Sequence, residues 1–244
     1  MWRFDLTRLV GSRFTFANAM NSDPVFSPDG QYVVFDRNTD WGLYRKRADG
    51  SGSEEQLLKT DIEARPRDFS PDGRTLVFDR YERATGDANI WALPLMGDRK
   101  PFVLVKGPGL QVNERISPDG RWMAYNSTES GQSEVFVTAF PSATGKWQIS
   151  NGGADEPRWR SDGKELFFLG ANGKLMATAV TTGTQFSAGT PQALFDIPMG
   201  YGGHRCALRR QPRRSALPDE HSRSREPARA GRARPELAGA AQET

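Results

Sequence analysis

The chain has 244 residues, 26% of them charged, and 33 Lys and Arg against 30 Asp and Glu give a net charge of +3. Such a length allows one or two domains with a sizeable core. Both histidines, His204 and His221, and the single cysteine, Cys206, fall near the C-terminus, so residues 1–203 exclude disulfides, Ser-His-Asp or Cys-His catalysis, and His or Cys metal sites.

The first residues, MWRFDLTR and then SRFTF, read as the third and fourth strands of a four-stranded unit whose inner half lies upstream. Next comes FSPDGQYVVFD, Phe26 to Asp36. Ser-Pro-Asp-Gly suits a type I turn, with Pro fixing φ at the second position and Gly free to turn left-handed at the fourth. That geometry closes a three-residue hairpin, and the apolar run after it has strand length and strand composition. Gly42–Arg47 and Glu55–Lys59 supply two further strands around the turn Ala48-Asp49-Gly50.

The same unit then recurs. FSPDGRTLVFD runs from Phe69 to Asp79, followed by strands at Asn89–Leu95 and Pro101–Lys106. Asn113–Ile116 leads into ISPDGRWMAYN, Ile116 to Asn126, with strands Arg121–Ser127, Glu134–Phe140 and Lys146–Ser150. WRSDGKELFFL, Trp159 to Leu169, has Ser161 in place of Pro but keeps Asp162 and Gly163, and strands follow at Lys174–Thr181 and Gln192–Phe195. The turn glycines Gly30, Gly73, Gly120 and Gly163 are spaced by 43, 47 and 43 residues. A period in this range with four strands per unit predicts an all-β fold, a β-propeller of four-stranded antiparallel blades. The count is about four and a half blades, an incomplete ring.

The SPDG turn with its apolar strand resembles the TolB-like (Trp-Asp-like) β-propeller repeat family. A closer likeness is to the C-terminal propellers of bacterial serine/threonine protein kinases. It is carried by GDRKPF at Gly97–Phe102, by SPDGRWMAYNSTESGQSEVFVTAFP at Ser117–Pro141, and by GKWQISNGGADEPRWRSDGKELFFLGANGKLMA at Gly145–Ala177. The resemblance implies an interaction platform outside the cytoplasm, in the periplasm or beyond, belonging to a larger bacterial protein whose missing blades or domains lie elsewhere.

From His204 the composition changes. Residues 204–244 hold ten Arg against five Asp or Glu, a local charge of +5 that leaves residues 1–203 at −2. This segment lacks aromatic residues, Lys, Val and Ile, so it is expected to be disordered. Two readings stand, a functional basic arm for nucleic acid or anionic lipid and, the one expected, the product of a shifted reading frame of GC-rich DNA. Codons for RPELAGAAQET, Arg234 to Thr244, can be chosen to read one base later as Asp-Leu-Asn-Trp-Pro-Ala-Leu-Leu-Lys-Lys, which resembles the ending of the kinase-associated propellers. The domain division is therefore a propeller at 1–203 and a tail at 204–244. Because the basic excess sits in the tail, nucleic acid is not expected as a partner, and no apolar run is long enough for membrane insertion.

No P-loop, kinase Gly-rich loop or G-x-S-x-G elbow is present, and no cofactor is expected. The repeated Asp29, Asp72, Asp119 and Asp162 read as turn stabilisers, and Asp61, Glu63 and Asp68 lack the spacing of a calcium loop. Trp91, Trp122 and Trp159 read as filling between blades. The residues just before each turn form the innermost strand, which lines the channel. There the repeats place Arg65, Arg67 and Asp68, then Glu114 and Arg115, then Asp155, Glu156 and Arg158. Two readings stand: the row clasps a peptide or carboxylate ligand at the channel mouth, or its members pair with one another between blades. The chain thus reads as a non-catalytic module for protein or peptide binding. The alternative is the accessory propeller of an enzyme, a serine/threonine kinase or a prolyl-oligopeptidase-type serine hydrolase, with its catalytic domain outside these residues.

Overall fold

The computed structural model describes residues Met1–Ile197; the Arg-rich segment 204–244, with its expected disorder and frameshift origin, lies outside the described residues. Those residues form strands and turns with no helix among them. Strands β1 (Trp2–Asp5) and β2 (Val10–Arg13) make a hairpin. Four antiparallel sheets follow. The first holds β3 (Asn21–Phe26), β4 (Tyr32–Arg37), β5 (Gly42–Arg47) and β6 (Glu55–Lys59), hydrogen-bonded in chain order. The second holds β7 (Ala64–Phe69), β8 (Thr75–Tyr81), β9 (Ala88–Pro94) and β10 (Phe102–Val105). The third holds β11 (Gln111–Ile116), β12 (Trp122–Ser127), β13 (Glu134–Ala139) and a short β14 (Trp147–Gln148). In the last, β15 (Ala154–Trp159), β16 (Glu165–Gly170) and β17 (Lys174–Thr182) are followed by β18 (Phe186–Ala188) and β19 (Gln192–Asp196). The long β17 pairs with β19 along its first half and with β18 along its last three residues.

Each turn is built as its sequence demands. Gly30, Gly73, Gly120 and Gly163 have φ between +71° and +73°, the left-handed geometry that glycine adopts without strain. Gly30 N–H donates to Ser27 O at 2.9 Å, and Tyr32 N–H donates to Ser27 Oγ at 2.9 Å. The Asp29 carboxylate accepts from the Ser27 hydroxyl and from Gln31 N–H. The same set recurs at Ser70 and Asp72 and at Ser117 and Asp119. In the fourth repeat Arg160 replaces the serine and grips Asp162 with two bonds of 2.7 Å. These bonds, with the Lys164 N–H, hold the Asp162 carboxyl down to about 2. The repeated aspartate is thus engaged in its own turn.

The second strand of the first three sheets is apolar without alternation because both of its faces are covered, whereas in the fourth only Leu166 and Phe168 of β16 are buried. Val33 and Phe35 pack toward Phe14 and Tyr44, whereas Val34 packs with Leu43, Leu57, Phe69, Leu76 and Phe78 across the seam to the next sheet. The second seam joins Val77, Ile90 and Leu104 to Ile116, Met123 and Tyr125. The third joins Trp122, Val135 and Ile149 to Trp159, Leu166 and Phe186. Tryptophans 91, 122 and 159 do sit between sheets, as the sequence suggests.

Every inner strand carries a register shift five to eight residues before its turn glycine. In three of them the residue seven before the glycine is left-handed: Asp23 (φ 45°), Asn113 (φ 60°) and Glu156 (φ 56°). The second repeat has Pro66 there, which cannot adopt positive φ. These bulges bend the inner strands and re-aim their side chains.

Candidate functional site

Strands β3, β7, β11 and β15 stand side by side as the innermost strands, and the eight candidate residues divide by depth. Arg67, side chain 5% exposed, donates from Nε to the fully buried Asp79 carboxylate and lies 3.5 Å from Asp23 Oδ1. Burial opposes its charge, but the carboxylates of Asp79, Asp23 and Glu114 prevail and raise its pKa. Glu114 is fully buried, and neither carboxylate oxygen has a hydrogen-bond partner among the described residues. Burial first, and repulsion from Asp79 second, push its carboxyl well above the ordinary range. Neither Arg67 nor Glu114 is placed where a ligand can touch it, which corrects their assignment to a channel mouth. Both occupy the position six before the turn glycine, and the fourth repeat has a buried Pro157 there.

Two more candidates join sheets. Asp68 accepts Ile116 N–H of the next sheet at 3.0 Å and Phe69 N–H at 3.0 Å. Arg115 donates to the carbonyls of Arg67 and Glu114, each at 2.7 Å, and its own carbonyl accepts the Trp159 indole N–H at 2.9 Å. Burial, then repulsion from Arg158, lowers the Arg115 pKa to about 10.

The other four lie nearer the surface. Arg65 stacks 4.7 Å from the Tyr81 ring centroid, pairs with Glu63, and approaches Asp23 at 3.8 Å. Asp155 is exposed and accepts the Asn113 side-chain amide at 3.1 Å. Arg158 pairs with Glu156 at 2.7 Å and donates to Pro157 O at 2.7 Å. Asp23, Glu63 and Asn113 belong to the same row and were missed from sequence. Counting back seven residues from the turn glycine finds Asp23 and Asn113.

No family profile matches the sequence, and no curated protein matches it. Among solved structures, TolB of Agrobacterium tumefaciens superimposes with a TM-score of 0.63 at 18% identity, over 80% of this chain and 73% of that one. TolB of Acinetobacter baumannii does so at 0.62 and 17%, over 79% and 49%. The fold is a TolB-like β-propeller. A puromycin-hydrolysing peptidase of Mycobacterium tuberculosis is also similar, with a TM-score of 0.53 at 21% identity, over 71% of this chain and 30% of that one. The chain therefore spans about half of the second TolB and under a third of the peptidase.

Within this propeller, the position six after the turn glycine carries Asp36, Asp79 and Asn126 in successive repeats. Asn126 is fully satisfied: its amide donates to Ser133 Oγ and Ala154 O, and its oxygen accepts from Asn113 and from Glu156 N–H. Asp36 accepts one bond from Ser22 Oγ at 2.9 Å, and its other oxygen is buried without a partner. Burial, with repulsion from Asp23, outweighs that bond and the nearby Arg65 charge and raises the carboxyl to about 6. A carboxyl whose folded pKa is raised contributes stability that is fully present below its unfolded value near 3.8 and lost as pH rises through 6. Asp36→Asn, which puts at this position the neutral amide that Asn126 carries in the third repeat, is expected to be more stable at pH 7 by about 1–2 kcal/mol. The gain should vanish below about pH 4. Urea titrations at pH 4 and pH 7 check this, and an equal gain at both would refute the titration argument.

Proposed function

We propose that this chain is a non-catalytic recognition module for a protein or peptide, a scaffold or sensor part of a larger extracytoplasmic bacterial protein. The observation that supports it is the row along the inner strands in which the carboxylates of Glu63, Asp23, Asp155 and Glu156 are interspersed with Arg65, Arg158 and the Asn113 amide. A row of interspersed donors and acceptors with a net charge of −2 suits a polar protein surface and disfavours a polyanion. Its backbone is held by bulges and by the Asp68, Arg115 and Trp159 links between sheets, so it is rigid before a partner arrives. The domain division belongs to the same reading, with the propeller at 1–203 and the frameshift-derived tail at 204–244. The nucleotide sequence tests the latter: stops in the shifted frame would remove it.

The double substitution Asp155→Lys with Arg158→Glu reverses both signs at the accessible end of the row. Captured from an extract of the source cells and quantified by mass spectrometry, a specific partner should fall about tenfold or more against wild type. Lys100→Glu, on the exposed outer rim, should leave it unchanged. Equal recovery by all three proteins sinks the reading.

The similarity to part of a puromycin-hydrolysing peptidase supports a second reading, the accessory propeller of an enzyme, and the resemblance of residues 97–177 to kinase-linked propellers supports another form of it. The flanking DNA separates them. A downstream G-x-S-x-G favours the hydrolase and an upstream kinase Gly-rich loop the kinase.

A further inference from the structure

Neighbouring sheets of a propeller splay apart away from the axis. At the seam between the first and second sheets they leave a cleft of about 440 Å³, lined among others by Leu58, Lys59, Phe78, Arg80, Trp91 and Pro101. Part of its wall is apolar, with Phe78 and Trp91 stacked at 6.4 Å. Two buried donors on that wall, Arg80 Nε and Trp91 Nε1, have no hydrogen-bond partner among the described residues. A buried donor without an acceptor is rare and costly in a folded protein, so two on one cleft point to an acceptor supplied from outside.

The repeats provide internal comparisons. Seven residues after the turn glycine, the first sheet has Arg37 where the second has Arg80. The Arg37 Nε donates to Asn21 Oδ1 at 3.0 Å. The residue corresponding to Asn21 in the second repeat is Ala64, nine before the turn glycine, so Arg80 has lost that acceptor. At the seam between the third and fourth sheets the same place is again a cleft, of about 310 Å³. There Gly170 and Met176 stand where the second repeat has Arg80 and Trp91, and neither side chain offers a donor. In the third repeat Tyr125, Ser127 and Phe136 hold these places and are buried. Propeller geometry makes the cleft; among the described repeats only the second leaves its donor pair without acceptors, since Arg37 and Tyr44 at these places in the first are bonded to Asn21, Glu54 and Asp40.

Arg80 is fixed from two sides. Its guanidinium lies 5.0 Å from the Trp91 ring centroid, and Nη2 donates to the exposed Asp61 at 2.8 Å. Asp61 thus offsets the charge of Arg80, and the exposed Lys59 beside it leaves the rim with one net positive charge. We propose that this cleft is a binding site for a carboxylate carried on a small apolar body. The carboxylate meets the guanidinium of Arg80, whose side chain is 24% exposed. A small shift of the Arg80 and Trp91 side chains brings the enclosed Nε and Nε1 to its oxygens, while the apolar part lies against Leu58, Phe78 and Pro101. The charge of the rim and the two donors favour a carboxylate over a neutral carbonyl, because charge-assisted bonds are roughly twice as strong. The site is separate from the inner-strand row, and neither depends on the other.

The test is a titration of the full chain with N-acetyl-leucine, followed in proton–nitrogen correlation spectra through the tryptophan indole N–H peaks. Trp91→Phe, which keeps an aromatic ring against Phe78, identifies the Trp91 peak by its loss. That peak should move and saturate with N-acetyl-leucine. N-acetyl-leucinamide, identical in shape but uncharged, should leave it nearly still. Lys59→Gln, on the exposed rim, should weaken binding several-fold and Arg80→Gln by about tenfold or more. A peptide ending in leucine with a free C-terminus that binds more tightly than the free acid assigns the site to peptide C-termini; equal affinity assigns it to small acids. A Trp91 peak unmoved by the acid, or moved equally by the amide, overturns the proposal.

Discussion

Replacing Arg67 with methionine should destabilise the propeller by about 3–5 kcal/mol, the cost of leaving a buried charge without its partner. Among the described residues, Arg67 is the only cation hydrogen-bonded to Asp79, whose side chain is fully buried and whose second oxygen already lacks a partner there. It also faces Asp23 and lies within reach of the Glu114 carboxyl. Three acidic groups are therefore gathered around one guanidinium at the joint of the first three sheets. Burial already raises the pKa of Asp79, with Arg67 pulling it back. Without Arg67 the carboxyls of Asp79 and Glu114 rise further, so the loss should be large at pH 7 and shrink as pH falls toward the unfolded carboxyl values. Arg67→Met with Asp79→Asn should recover most of the loss, since the stranded charge is gone. Urea midpoints of the two variants at pH 5 and pH 8 measure this. If the single substitution costs under about 1 kcal/mol, Arg67 is solvated and the cluster is not the joint described above.

This cluster also marks where sequence reasoning stopped. The turns were legible because Ser-Pro-Asp-Gly is a local device whose hydrogen bonds close within five residues. The repeat spacing then made the sheets legible, and strands such as Gly42–Arg47 and Glu55–Lys59 end where the sequence places them. The inner-strand charges were also visible, but their depth was not. Arg65 and Arg67 differ by two positions, which in a regular strand puts them on one face. The register shift at Pro66–Asp68 intervenes, and one arginine is half-buried while the other is enclosed. The cleft donors were hidden for a different reason: what matters at Arg80 is the absence of an amide at Ala64, a substitution legible only once the repeats are superimposed.

Phe186→Ala should cost about 3–5 kcal/mol, lowering the melting temperature by on the order of 10 °C. Phe186 lies on β18, the strand the sequence did not announce, because Gly183 and Gly189 bracket a segment too short and polar to read as one. Only three register pairs tie it to β17, so hydrogen bonding alone does not account for its order. Its ring lies 5.3 Å from Trp122, 5.5 Å from Trp147 and 6.4 Å from Trp159. Trp122 and Trp147 meet edge to face at 5.4 Å, and the Trp122 indole donates to Thr182 O at 3.3 Å. One side chain from the fourth sheet thus completes an aromatic cluster rooted mainly in the third. Truncating it leaves a cavity that three rigid rings cannot collapse to fill. Phe195→Ala serves as the control: that ring is 60% exposed on β19, so its loss should stay within about 0.5 kcal/mol. Near-ultraviolet circular dichroism should change for the first variant and not the second, since only Phe186 fixes the mutual orientation of the indoles. Equal effects of the two substitutions would mean that β18 is held by its backbone pairs and that the seam closes without it.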